Sequence, residues 1–333
     1  MPDDSSTVKH SVVDHQWHWV PASLLETFAK RRVAPLAESS EDGWIFQAGE
    51  GLRLPVPPGL LDLDEQLSLA SDRGIDVVVS SPVVLAEVLH LDPAEAAELL
   101  EEVNAATAAA QRQHPDRFVG LAFLPLQDTD AALRVLEAAV ADGLTGISML
   151  ASIDGAPIAT EATLPVFKRI AELGLPIVLH PASRSSTYTQ GLGMHAELGL
   201  GWMYHTALAA LNLIQSGVFD ECPDLTVLHP HLGGVLPYVL GRIDRLPGEQ
   251  RSLQEYLRRH FYTDVVSATP GALAIAVETY GPDRILFATD YPFVPIEAAF
   301  GYVGANASAD LSATIFANRL PGLRLPAGAD AKP

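Results

Sequence analysis

Eight short apolar, β-branched runs, each separated from the next by a longer stretch, constrain the fold of this chain more than any other feature. They span 11–17, 75–80, 118–125, 145–150, 175–180, 225–231, 260–266 and 284–290. Helical patterns fill 62–73, 93–113, 129–142, 163–173, 206–219, 236–246 and 270–280. Asp92-Pro93 opens the second of these with an N-cap carboxylate and a first-turn proline, whose missing N–H would have had no partner there anyway. Strands alternating with helices make right-handed crossovers and therefore a parallel sheet. Eight such strands in 333 residues predict a closed (β/α)8 barrel, a TIM barrel of α/β class. A doubly wound open sheet is the competing arrangement. No G-x-G-x-x-G follows the first run and there is no Walker loop, so nucleotide binding has no support. The barrel is expected to occupy 11–320 as one domain, with flexible segments at 1–10 and 321–333.

With 48% hydrophobic and 19% charged residues, the chain can fill a large core. Its net charge of −20 argues against nucleic acid or an anionic membrane as partner. A small anionic substrate stays open, because a local cation can reverse the field inside a pocket. The single Cys222 excludes a disulfide framework. The first ten residues are polar, and no apolar run approaches the roughly 20 residues that span a bilayer, so a cytoplasmic protein is expected.

In a barrel, function sits at the C-terminal ends of the strands. His18 lies just past the first run, His180 ends the fifth, His231 ends the sixth and Asp290 ends the eighth. Any one of them alone reads as a hydrogen-bonded structural residue or a helix cap. Four at one rim, from four strands, predict a catalytic site. The first run reads Asp14-His15-Gln16-Trp17-His18-Trp19. Residues two apart share a face of a strand, so Gln16 and His18 point together where two histidines would make a metal-binding H-x-H pair. His15 faces the other way. Two connections are unusually long, 33–61 and 181–205, and loops of that length in a compact domain are expected to act as lids.

Four segments, taken in this order, resemble the amidohydrolase-related family that includes aminocarboxymuconate semialdehyde decarboxylase and several nonoxidative aromatic acid decarboxylases. They are the D-x-H-x-H-like start, "ADGLTGISM…LPVFKRIAELGLPIVLHP", "GVFDECPDLTVLHPHLGGVLPYVLGRID" and "GPDRILFATDYPF", and the likeness runs from Val12 to Phe293. The resemblance implies a (β/α)8 barrel, one divalent metal ion (zinc or manganese) and an acidic substrate. By position, His18 and His180 would be metal ligands and Asp290 the carboxylate ligand. His231, heading H-L-G-G, would activate metal-bound water or deliver a proton, so catalysis is assigned to His231 and Asp290.

Gln16 stands where the family's first strand has its first histidine. An amide oxygen binds zinc more weakly than an imidazole does and suits harder ions. His229 is a further candidate ligand, since it would share a strand face with His231; its other reading is a hydrogen-bonded residue lower in the barrel. A metal-independent site is the remaining alternative. Strand four ends in Ser148-Met149-Leu150, without the lysine a binuclear site would need. Arg53 and Arg184 are candidate carboxylate clamps. Trp19, Trp202 and Phe293 are candidate walls for a flat ring. Gly234 occupies the position after H-x-G where members acting on hydroxybenzoates often carry an acid, which argues against a resorcylate-type decarboxylase.

The chain is therefore expected to be a mononuclear metal-dependent decarboxylase of a small unsaturated or aromatic acid. A hydrolase or hydratase using the same His231 and Asp290 stays open, as does a non-catalytic ligand-binding barrel. Related enzymes imply a homodimer.

Overall fold

A computed structural model describes residues 11–41, 43–49, 52–82, 88–182, 191–244, 251–266 and 269–329. Strand β1 (Val13–His18) opens the ring. The chain then leaves it for a helix (Ala22–Ala29) and a small antiparallel sheet of β2 (Leu36–Ser40), β3 (Gly43–Gly49) and β4 (Leu52–Pro55). The connection expected as a loop over 33–61 is thus largely a folded sheet. The remaining ring strands are β5 (Val77–Ser81), β6 (Phe118–Gly120), β7 (Ala122–Phe123), β8 (Ile147–Leu150), β9 (Ile177–His180), β10 (Val227–His229), β11 (Phe261–Asp264) and β12 (Ile285–Leu286).

Every pairing in the ring is parallel. Strands β6 and β7 are one run that passes its pairing from β5 to β8: Leu121 N–H donates to Ser80 O, and Ala122 N–H to Gly146 O. The ring closes between β1 and the residues following β12. His15 N–H donates to Phe287 O (3.0 Å), Asp290 N–H to Gln16 O (2.9 Å) and His18 N–H to Tyr291 O (2.9 Å). The barrel predicted by the alternation is present, with a strand at each of the eight expected places.

Parallel strands are covered on both faces, which is why these runs are almost continuously apolar. Val77, Val79, Val119, Val178, Leu228 and Leu286 pack together in the lumen, while Val78, Phe118, Ile177, Val227, Phe261 and Ile285 face the surrounding helices. Asp62, Asp92 and Asp128 cap three of those helices by accepting from Glu65, Ala94 and Ala131 N–H. The C-terminal segment does not fray as expected: Leu323, Leu325 and Ala329 are buried in the lumen cluster. Arg319 ties it down, donating to Ala329 O (2.7 Å) and to Ser11 O. Among the described residues no helix is long and apolar enough to cross a membrane.

Candidate active site

The rim end of β1 is pinned from behind. Trp17 is fully buried, stacks on Tyr291 at 4.4 Å and donates from Nε1 to Gln66 Oε1 (2.7 Å). Gln66 in turn donates to His18 O (3.0 Å), so the backbone that carries His18 is held on both sides. His18 donates from Nδ1 to Ser81 O (3.0 Å), and its Nε2 lies 2.7 Å from Asp290 Oδ1, within hydrogen-bonding distance. His180, the last residue of β9, donates from Nδ1 to Pro181 O (2.8 Å), and its ring stands edge-on to His18 at 5.3 Å. Burial, and then the charge of His18, pulls the His180 pKa down to about 3, so this ring is a neutral imidazole at pH 7.

Asp290 adopts a left-handed backbone, φ 65°. Burial pushes its carboxyl up, but the hydrogen-bonded His18 ring and the nearby His231 ring outweigh this and hold it well below the usual carboxylate range. It is an anion held between two histidines.

His231 reaches the site by an unusual turn. Strand β10 stops at His229, and after Pro230 four consecutive residues have positive φ: His231 58°, Leu232 53°, Gly233 78° and Gly234 59°. A left-handed conformation costs a residue with a side chain about 1–2 kcal/mol, so the turn must be over-determined by its surroundings. His231 N–H donates to Asp264 Oδ1 (2.8 Å). A Cβ at Gly233 would overlap the Tyr280 hydroxyl, and one at Gly234 would overlap the Met203 carbonyl oxygen. The turn carries the His231 ring to the rim, with Nε2 3.7 Å from Asp290 Oδ2. Burial lowers the His231 pKa, but the Asp290 carboxylate more than compensates and raises it above the ordinary histidine value.

Gln16 sits between the acid and the base. Its Nε2 is 3.3 Å from Asp290 Oδ1 and 3.5 Å from His231 Nε2, while Oε1 is buried with no hydrogen-bond partner among the described residues. To offer that oxygen to a cation, the amide has to turn over. Among the described residues no three His, Cys, Asp or Glu side chains already stand in a metal-binding arrangement.

The other sequence assignments divide. Phe293 is half exposed, with its ring 5.4 Å from that of His18, and lines the rim. Trp202 starts the helix Trp202–Gln215, its indole N–H buried and unpartnered among the described residues. Three assignments need correction. His229 turns away from the lumen: Leu228 takes the inward place, and His229 Nδ1 meets the Tyr280 hydroxyl at 3.1 Å in the helix layer. The left-handed turn after His229 breaks the alternation that would have put it on the His231 face. Arg53 lies on β4, about half exposed, with its guanidinium on Glu38 at 2.6 Å, so its charge is engaged away from the rim. Trp19 donates to Leu61 O (3.0 Å) and packs edge-on against Phe118, a structural contact. Arg184 lies outside the described residues.

Two buried acids were missed. Asp264 ends β11 at the same rim, with burial raising its pKa to about 6. Asp14 accepts from Thr289 Oγ1 (2.6 Å) and from the N–H groups of Gln16 and Thr289, and burial raises its pKa to about 7. The rule that found Asp290, a carboxylate at a strand's C-terminal end, would have found Asp264.

A family model described as amidohydrolase matches residues 13–314. The gamma-resorcylate decarboxylase of Rhizobium sp. (strain MTP-10005) is 31% identical over 276 residues, covering 75% of this chain and 83% of that protein. The 2-amino-3-carboxymuconate-6-semialdehyde decarboxylase of Dictyostelium discoideum is 27% identical over 246 residues, covering 70% and 67%. Among solved structures, the dihydroxybenzoic acid decarboxylase of Polaromonas sp. JS666, with bound manganese and the inhibitor 2-nitroresorcinol, superposes with a TM-score of 0.74 at 25% identity. That alignment covers 92% of this chain and 94% of the other.

Proposed function

The chain belongs to the amidohydrolase family, and from that membership we propose that this enzyme is a metal-dependent, nonoxidative decarboxylase of a small aromatic carboxylic acid. The observation that carries this reading is the convergence at one rim of a neutral His180, a His18–Asp290 pair 2.7 Å apart and a His231 whose pKa the Asp290 carboxylate raises.

A divalent cation fits these residues by donor chemistry. His18 and His180 each donate Nδ1–H to a backbone carbonyl, which leaves Nε2 as the nitrogen that can face a cation, the way metal-binding histidines are commonly oriented. Asp290 is ionised, and Gln16 brings a buried amide oxygen that lacks a hydrogen bond among the described residues. The ion would be held by His18, His180 and Asp290, with Gln16 Oε1 as the weak fourth donor, and manganese suits that oxygen better than zinc does. When bound, it polarises a substrate oxygen and neutralises the substrate's negative charge.

The chain's own groups do the rest. His231 gives its proton to the ring carbon that bears the carboxylate. The bond from that carbon to the carboxylate then breaks, carbon dioxide leaves, and the bonding pair restores the aromatic ring. The Asp290 carboxylate favours this by raising the pKa of His231 and so stabilising its protonated form. The Phe293 ring offers a flat wall. With Arg53 engaged by Glu38, attraction for an anionic substrate among the described residues rests on His231, together with the cation they would hold.

Carbon dioxide release from a panel of dihydroxybenzoates and unsaturated acids, run beside a panel of lactones and esters, tests this reading. Stoichiometric divalent metal together with carbon dioxide release is the expected result. Turnover of a lactone or ester alone would replace it with a hydrolase.

A second copy of this chain is the partner we propose. Leu200, Tyr204 and Leu208 are 60%, 56% and 44% exposed and lie one helical turn apart. Residues 191–217 around them contain a single charged residue, Glu197, in a chain of net charge −20. Pairing two such neutral faces keeps the acidic surfaces apart. Light scattering should give a dimer for the native chain and a monomer for Leu200→Glu/Leu208→Glu; a native monomer refutes it.

A further inference from the structure

If His231 is the proton donor, as the decarboxylase reading requires, the geometry points to Asp264 as the residue that positions it. Asp264 is fully buried and ends β11, beside β10. The β10–β11 pairing runs out at His229 and Thr263, so Asp264 stands one step beyond the ladder, where the chain leaves the strand for the left-handed turn. Its Oδ1 accepts the His231 N–H at 2.8 Å and the Val266 N–H at 3.1 Å. It therefore takes over the hydrogen bonding of a backbone that has just lost its sheet partner.

Other contacts hold the turn too, but at different places. Tyr280 fills the space a side chain at Gly233 would need, and Met203 does so at Gly234. They shape the end of the turn, whereas Asp264 bonds to the residue that carries the imidazole. The turn itself carries no acid: Gly234 stands three residues after His231, and the carboxylate bonded to the His231 backbone belongs to the neighbouring strand.

Position and charge make opposite predictions for two variants. Asp264→Asn keeps an oxygen where Oδ1 is and removes the charge; Asp264→Glu keeps the charge and moves the oxygen. In the manganese-loaded enzyme, Asp264→Asn should retain kcat within about tenfold, while Asp264→Glu and Asp264→Ala lose about 100-fold with KM within about threefold. In the full chain without substrate, hydrogen exchange of the His231 amide should stay slow in Asp264→Asn and become fast in the other two. An active Asp264→Glu with an inactive Asp264→Asn overturns the proposal, because charge and not position would then matter. An Asp264→Ala variant with native kcat and a slow His231 amide also overturns it; should that variant fail to fold, the Asn and Glu pair still decides. If the native chain releases carbon dioxide from no acid, the decarboxylase reading falls, while the amide exchange still answers whether Asp264 holds the turn.

Discussion

His231 and Asp290 face each other with opposite departures from their ordinary acidities, and pH should read both. The raised pKa of His231 means that the proposed proton donor persists above the ordinary histidine range and is lost as pH rises through the raised value. The lowered pKa of Asp290 means that its charge persists below the ordinary carboxylate range and is lost at still lower pH. The rate should therefore fall on the alkaline side when His231 deprotonates. His231→Gln should lower kcat by about 10²–10⁴-fold and abolish that alkaline limb, as a pH–rate profile of both proteins would check. These residues were legible in the sequence because a barrel brings the ends of distant strands to one rim. His229 was not, because strand alternation stops applying once the backbone turns left-handed at His231. Arg53 was misread for another reason: nothing in a linear sequence reveals that Glu38, fifteen residues earlier, lies across a small sheet from it.

The ring strands were readable as elements because burial on both faces leaves an unbroken apolar signature. Strands β2 to β4 carry no such signature. They lie outside the ring, and β2 is mostly exposed, so the segment reads as a Gly- and Pro-rich loop. The left-handed turn is equally hidden, except for the Gly233-Gly234 pair that permits it. Gly234→Ala should destabilise the fold by roughly 2–4 kcal/mol, since the new Cβ meets backbone at Met203 and the φ of 59° disfavours it further. Denaturant unfolding measures this directly. The Ala/Gly/Pro-rich composition of the C-terminal segment suggests a frayed tail, yet two leucines anchor it. Deleting residues 322–333 removes Leu323 and Leu325 from the lumen cluster and should cost roughly 3–6 kcal/mol at ordinary transfer energies. A shortened chain with native unfolding midpoint would contradict that.

At the scale of the whole molecule, a net charge of −20 opposes the approach of an anionic substrate. Raising salt from about 10 mM to about 150 mM shortens the screening length from roughly 30 Å to 8 Å, so kcat/KM should rise, in contrast to an enzyme that attracts its substrate by long-range charge. Stopped-flow binding across that range checks the sign.

The ring seam has its own consequence. His18 and Asp290 are 272 residues apart in sequence, and they meet where the first strand joins the residues after the last. A cation gripping both is thus a clasp on a hoop, fastening the two ends of nearly the entire chain. An ion that binds only the closed ring stabilises it by mass action, and at 100 times its Kd it adds about 2.7 kcal/mol to the folded state. Manganese should therefore raise the melting temperature and slow amide exchange first at His15, His18 and Asp290, the residues that hydrogen-bond across the seam. Stripping the ion would unfasten the hoop at the point where the chemistry takes place, so loss of activity and loosening of the barrel would begin together.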